Sequence, residues 1–312
     1  MAKRSADDIE SDSKRDEYVT CMRCNPCNQH IAFGYNTGKI AINDKTTNEQ
    51  IHVFNDLHAS LINDIVYSDD GRILVTCSDD TAICVVDAER NGLKCRLETH
   101  TTAVNSVAID KYYNIASCDA VGVINICGIT GRIKCTLKPD KRGNEVPFCI
   151  TFNTEGTLCA VGYNTGTVVI FDVRAQRILH DFKSAHVNGR VREITAISFS
   201  SDSNRLLCGT SFGNIVYTLN CIPPCKDVIY DPSLKVQHVN FNDFFGNPDT
   251  IISYESHVPY NTDEGGTNRI CVYKLSSTHD SLLMPYFILD KVQGKFEAEE
   301  KEALYIHNTV TI

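Results

Sequence analysis

A chain of 312 residues with a formal net charge of −9 and a pI near 5.6 has room for one or two domains, and its acidity disfavours a surface built for nucleic acid or an anionic membrane. Its fifteen cysteines are scattered through strand patterns and the N-terminal run Met1–Asp8 lacks the apolar core of a signal peptide, so a reducing compartment, cytoplasmic and/or nuclear, is expected rather than a disulfide scaffold. No apolar run approaches the roughly 20 residues needed to span a bilayer.

Residues 1–17 are polar, charged and aperiodic, the pattern of a disordered tail, and a single all-β domain is expected over 18–312. The first repeat reads as strands Tyr18–Asn25, Gln29–Gly34 and Lys39–Asn43. The second reads Ile62–Ser68, turn Asp69-Asp70-Gly71, Arg72–Cys77, a tight turn at Ser78–Thr81, Ala82–Val86 and an outer strand Leu93–Leu97. The third gives Val104–Ile109, Asn114–Cys118 and Val123–Cys127, the fourth Phe148–Asn153, Thr157–Gly162 and Thr167–Phe171, and the fifth Thr195–Ser200, Arg205–Gly209 and Asn214–Thr218. The sixth has Val236–Phe241, Thr250–Ser253, Arg269–Tyr273 and Met284–Leu289, with Glu255–Asn268 inserted between its second and third strands. The pentamer Gly34-Tyr35-Asn36-Thr37-Gly38 recurs as Gly162-Tyr163-Asn164-Thr165-Gly166, and the strand-end residues Asp44, Asp87 and Asp172 lie 43 and 85 residues apart, one period and two. A period near 40 made of four short antiparallel strands is the signature of a β-propeller blade. The repeats run approximately 18–57, 58–99, 100–143, 144–185, 186–234 and 235–290. The segment 291–312, with a candidate strand Leu304–Val310, is left to close the ring, so a partial seventh blade stays open, completed by this segment or by a partner strand.

These residues resemble the WD-repeat family. His58, His100 and His186 stand where that family places the histidine that opens a repeat, Ser78-x-Asp80-x-x-Ile83 matches its tight turn, and Asp87 and Asp172 match its closing aspartate. The chain departs from the family in having no tryptophan; the closing pair becomes Asn43-Asp44, Val86-Asp87, Cys127-Gly128, Phe171-Asp172, Thr218-Leu219 and Tyr273-Lys274. The family's buried network of histidine, hydroxyl, turn aspartate and indole is expected only in the second repeat, through His58, Thr76 or Ser78, and Asp80. Thr37 and Thr165 replace the turn aspartate, which implies that the network is lost in their repeats.

The spacing Cys21-x-x-Cys24-x-x-Cys27 could suit a metal, with Cys221 and Cys225 to complete a site, but strand alternation puts Cys21 and Cys24 on opposite faces, and small buried hydrophobes are the expectation. Matched offsets in successive repeats keep the histidines apart, no Gly-rich phosphate loop opens a helix, and no nucleophile–base pair stands out, so no catalytic, metal or cofactor site is assigned. Two features fall outside the repeat. The loops leading into the fourth and fifth repeats carry Lys138, Lys141, Arg142, Arg190 and Arg192, a basic patch suited to an acidic or phosphorylated peptide. The insertion Glu255–Asn268, with His257, Tyr260 and the pair Gly265-Gly266, is a candidate binding loop. The resemblance implies a non-catalytic scaffold for protein partners in a multisubunit complex. The alternative is a peptide-recognition module, a substrate receptor or chromatin-type reader that takes the acidic motif on the propeller face.

Overall fold

β-Branched and apolar residues alternating between turn residues at fixed offsets make strand after strand. The computed structural model describes residues 17–27, 29–137, 145–183, 193–211 and 213–219, and beyond them the strand backbones named below from Cys225 onward. Blade 1 consists of β1 (Val19–Cys24), β2 (His30–Tyr35), β3 (Ile40–Asp44) and β4 (Gln50–Phe54), and blade 2 of β5 (Ile62–Tyr67), β6 (Ile73–Ser78), β7 (Ile83–Asp87) and β8 (Gly92–Leu97). Blade 3 has β9 (Val104–Ile109), β10 (Asn114–Asp119), β11 (Ile124–Gly128) and β12 (Ile133–Leu137), and blade 4 has β13 (Pro147–Phe152), β14 (Leu158–Tyr163), β15 (Thr167–Asp172) and β16 (Arg177–Lys183). Blade 5 comprises β17 (Ile194–Phe199), β18 (Arg205–Thr210), β19 (Gly213–Thr218) and β20 (Cys225–Tyr230). Blade 6 comprises β21 (Leu234–Phe241), β22 (Thr250–His257), β23 (Thr267–Lys274) and β24 (Pro285–Val292). Each blade is a four-stranded antiparallel meander in chain order, and the fold is an all-β propeller.

First strands pack in series, β1 on β5, β5 on β9, β9 on β13, β13 on β17 and β17 on β21, which makes the first strand of each blade the inner one. The core is therefore a set of sheet-on-sheet layers between neighbouring blades. Ala32, Ile40 and Ile42 of blade 1 meet Ile62, Ile65, Tyr67 and Leu74 of blade 2. Val75, Cys77 and Val85 meet Val107 and Ile115 of blade 3, and equivalent layers join blades 3 and 4 and blades 4 and 5. Most of the cysteines are small apolar fillers of these layers; Cys77, Cys84, Cys118, Cys127, Cys159 and Cys208 have no exposed surface.

A β-bulge falls at the same place on the inner strand of all six blades, at Thr20, Asn63, Asn105, Phe148, Thr195 and Gln237. Three of these residues tie their blade to the next. The Thr20 hydroxyl donates to the Ile62 carbonyl at 2.6 Å, and the amides of Asn63 and Asn105 donate to the carbonyls of Val104 and Pro147 at 2.9 and 2.8 Å.

The structure corrects two sequence assignments here. The insertion in blade 6 is partly ladder: β22 and β23 extend so that Glu255, Ser256 and His257 pair with Arg269, Asn268 and Thr267. His257 is thus the end of a strand, and Tyr260 lies outside the described residues. In blade 5 it is Tyr217, opposite Leu206, that takes the register position of Val86 and Phe171, while Thr218 takes that of the closing aspartate, one residue earlier than the sequence alignment placed them.

Candidate interaction face

Antiparallel order puts the start of every inner strand and every turn between second and third strands at one end of the propeller, here called the upper face. The remaining hairpin turns form the lower face. Of the predicted structural residues, Asp87 and Asp172 lie at the lower end together with Asp44, and all three close the turn to the outer strand. Asp44 accepts from the amides of Thr46 and Thr47, Asp87 from those of Glu89 and Arg90, and Asp172 from that of Ala175. The Thr47 and Thr46 amides hold the Asp44 carboxyl below its ordinary range.

His58 and Asp80 meet at the upper face as the sequence suggests. His58 Nδ1 donates to both Asp80 oxygens at 3.1 Å and its Nε2 accepts from the Thr76 hydroxyl at 2.9 Å, the arrangement of a neutral imidazole. Burial pushes the His58 pKa down against the pull of Asp80. Burial alone would raise Asp80, but the amides of Ala59 and Ala82 together with His58 hold it at about 2. Arg96 of the outer strand completes the cluster at 3.0 Å from Asp80 Oδ2.

The network is not confined to blade 2. His100 Nδ1 lies 3.0 Å from Asp119 and its Nε2 is 2.7 Å from the Ser117 hydroxyl, all three side chains being buried. Sequence reasoning missed this because Asp119 takes the register position of Ser78, two residues before that of Asp80. From there its Oδ1 accepts the amides of Val121 and Val123, so the acid sits at the start of the turn instead of inside it. His186 lies outside the described residues.

Nor do the pentamer blades lack a polar network; they build it from other residues. The Thr37 hydroxyl donates to Glu17 at 3.1 Å, and the hydroxyls of Thr165 and Thr167 donate to Glu145 at 3.0 and 3.2 Å. In blades 2 and 3 the turn supplies the carboxylate and the incoming segment the histidine, whereas in blades 1 and 4 the incoming segment supplies the carboxylate and the turn the hydroxyl. The pentamer asparagine fastens the same junction: Asn36 Oδ1 accepts the Tyr18 amide at 3.0 Å and Asn164 Oδ1 the Val146 amide at 2.9 Å. Its first glycine is set by packing. A Cβ on Gly34 would lie 2.7 Å from both Cys21 Sγ and Ile62 Cγ2, and one on Gly162 would lie 2.7 Å from Cys149 Sγ and 2.4 Å from Ile194 Cγ2. The last glycine, Gly38 or Gly166, has φ of +86° or +77° and closes the turn.

Two further residues carry no sequence signal. Asp64, in the middle of an apolar inner strand, accepts from the Ser106 hydroxyl of blade 3 at 2.7 Å and lies 3.7 Å from Arg23 of blade 1. Phe148 occupies the bulge in blade 4 where Thr20, Asn63 and Asn105 tie their blades to the next, and it is 38% exposed. Tyr18 and Val121, also at the upper face, are 57% and 65% exposed. The predicted basic residues Lys141, Arg142, Arg190 and Arg192 lie outside the described residues. Cys21 packs toward blade 2 while Cys24 clusters on the other side of blade 1, so the alternation read from the sequence separates them in the structure as well. Among the described residues no group of three or more His, Cys, Asp and Glu side chains is placed to hold a metal ion. What the upper face offers is a rigid rim of hydrogen-bonded turns with apolar side chains standing out of it.

Two family models match the chain. "WD domain, G-beta repeat" matches residues 48–87, which run from the outer strand of blade 1 through the third strand of blade 2 and end on Asp87; "Anaphase-promoting complex subunit 4 WD40 domain" matches residues 115–202. Among curated proteins, the WD repeat-containing protein 55 homolog of Drosophila melanogaster is 24% identical over 210 residues, 66% of this chain and 40% of the relative. That of Aedes aegypti is 23% identical over 212 residues, 67% of this chain and 43% of the relative. The chain thus spans less than half the length of the curated relatives it matches. A solved structure of U3-55K shares the fold, with a TM-score of 0.72 at 13% identity over 89% of this chain and 83% of that one. In its repeat, its blade architecture and its histidine–aspartate networks, the chain is similar to the WD-repeat family, two of whose models match parts of it.

Proposed function

We propose that this chain is a non-catalytic scaffold that holds protein partners within a multiprotein assembly, with the upper face as its contact surface. The observation that carries this reading is Phe148. Its bulge gives up the inter-blade hydrogen bond made at three other blades and leaves an aromatic side chain 38% exposed on the face that also carries the exposed Val121 of blade 3 and Tyr18 at the entry to blade 1. WD-repeat proteins generally mediate protein–protein contacts, and one matching family model describes a domain of a complex subunit. Free thiols at every described cysteine fit a cytoplasmic or nuclear setting. The basic residues Lys141, Arg142, Arg190 and Arg192 belong by sequence to loops that lead into blades 4 and 5, which favours a partner with acidic character at this face.

Affinity recovery of the full chain from its native cell tests the proposal. Phe148→Asp and Val121→Asp should each leave the melting temperature nearly unchanged and deplete the recovered partners about tenfold or more. Recovery of the same partners in the same yield from both variants would remove the upper face as the contact surface, and recovery of none from the unmodified chain would remove the scaffold reading.

A further inference from the structure

The outer strand of a blade is a sheet edge whose outward N–H and C=O groups could pair with another chain, and proteins guard such edges with bulges and with charged side chains, lysine above all. Five of the six outer strands carry a charge: Lys94 lies in β8, Lys134 in β12, Asp181 in β16, Lys226 in β20 and Lys291 in β24. β4 reads Gln50-Ile51-His52-Val53-Phe54, with no lysine, arginine or acid, and among the described residues it pairs with β3 alone. The difference is sharpest at one position. In blades 1 to 4 the ladder between the third and the outer strand shifts register at the same place, and the extra residue is Lys94 in blade 2 and Lys134 in blade 3 but Ile51 in blade 1 and Leu179 in blade 4. Leu179 keeps Asp181 two residues further on, whereas Ile51 is 43% exposed on a strand without charge. Blade 1 has kept the bulge of a guarded edge and lost its lysine.

The ends of this edge indicate what covers it. Glu49 immediately precedes β4 and Asp56 follows it closely; both are exposed, and among the described residues neither makes an ion pair. A strand laid along β4 brings its own two ends to these carboxylates. A second copy of the chain, pairing edge to edge about a two-fold axis, would set the Glu49 end of each β4 against the Asp56 end of the other, like charge on like. We propose that β4 is a docking edge for an extended, uncharged segment of a partner protein that is flanked on both sides by lysine or arginine and joins blade 1 as a fifth strand. Main-chain hydrogen bonds to β4 supply the affinity, Ile51 offers the guest an apolar contact, and Glu49 and Asp56 select the guest by charge. The site lies on the circumference of the ring, apart from the upper face, and does not depend on that face being a contact surface.

The probe is a synthetic peptide, Lys-Lys-Thr-Val-Thr-Val-Thr-Lys-Lys, with Glu-Glu-Thr-Val-Thr-Val-Thr-Glu-Glu as its counterpart. Hydrogen exchange on the full chain should show the amides of β4 slowed at least about threefold by the basic peptide at millimolar concentration and not by the acidic one, with the amides of β8 unchanged by either. Ile51→Lys, which places at the exposed bulge the residue type that blades 2 and 3 carry there, should keep the melting temperature and abolish the protection. Glu49→Lys combined with Asp56→Lys should reverse the preference between the two peptides. No protection by the basic peptide, equal protection by both, or protection that persists in Ile51→Lys overturns the proposal. Protection of β4 that grows with protein concentration in the absence of peptide, alongside a dimer in sedimentation, also overturns it and gives the edge to a second copy of the chain.

Discussion

Gly162→Ala is a sharp test of why the chain repeats its pentamer. The added methyl would meet Ile194 Cγ2 at 2.4 Å, Cys149 Sγ at 2.7 Å and Ile194 Cβ at 2.8 Å, all far inside van der Waals contact. Relief would require β14 to part from β17, but Ile194 is fully buried in the layer between blades 4 and 5 and Cys149 is 8% exposed. Overpacking of this kind costs about 1–3 kcal/mol, and two immobile neighbours on different strands put the site at the upper end, about 3 kcal/mol. At roughly 2–4 °C per kcal/mol, the melting temperature should fall by about 6–12 °C. Gly92→Ala is the control: there the nearest atom to the new Cβ is the Arg90 carbonyl oxygen at 4.0 Å, and the expected change is nil or a gain of up to about 1 kcal/mol. Paired thermal melts of the two variants decide the matter. A Gly162→Ala protein that melts with the Gly92→Ala control would refute the claim that blade-to-blade contact selects the first glycine of the pentamer.

Two more predictions concern protonation and thiol chemistry. The His58 pKa is lowered from its ordinary 6.5, as is that of His180 by burial, so their contribution to stability is complete above pH 6.5 and is lost as the pH falls below it. Asp80, at about 2 against an ordinary 3.8, adds a second loss that begins below pH 3.8. Thermal melts from pH 8 to pH 3 should show both declines, with the first reduced in His58→Gln; a melting temperature that rises as the pH drops from 6.5 to 5 contradicts the assignment. Under native conditions iodoacetamide should modify exposed Cys27 well before Cys77, Cys118 and Cys208, whose thiols burial pushes far up; mass spectrometry showing equal labelling at Cys27 and Cys77 would contradict the packing.

Strand order and blade period were legible because Val, Ile and Cys alternate between turns such as Asp69-Asp70-Gly71, and the predicted ends fall within one or two residues of β5 to β7. The polar networks were less so. Asp119 does the work of Asp80 from a position two residues upstream, and Glu17 and Glu145 act from incoming segments that carry no periodic pattern, so only coordinates reveal that they meet Thr37 and Thr165. The bulge on each inner strand was invisible for a similar reason: one extra residue in a ladder changes no composition, yet it decides that Asn63 and Asn105 reach the next blade and that Phe148 does not. The hairpin of blade 6 was cut short in sequence because polar Glu255 and Ser256 read as loop, although backbone pairing carries the ladder through to His257.

The Asp64 side chain reaches the blades on both sides of its own. One carboxylate links Arg23 of blade 1 to Ser106 of blade 3, and the Ser106 oxygen in turn accepts the Ile150 amide of blade 4 at 3.3 Å. A ring of modules that touch only their neighbours would fray one module at a time. A shared charge near the axis instead makes opening of blade 2 strand an acceptor needed by the blades on either side, so the first four blades should lose their slow-exchanging amides together, as a single foldon, while the later blades open at a lower free energy of their own.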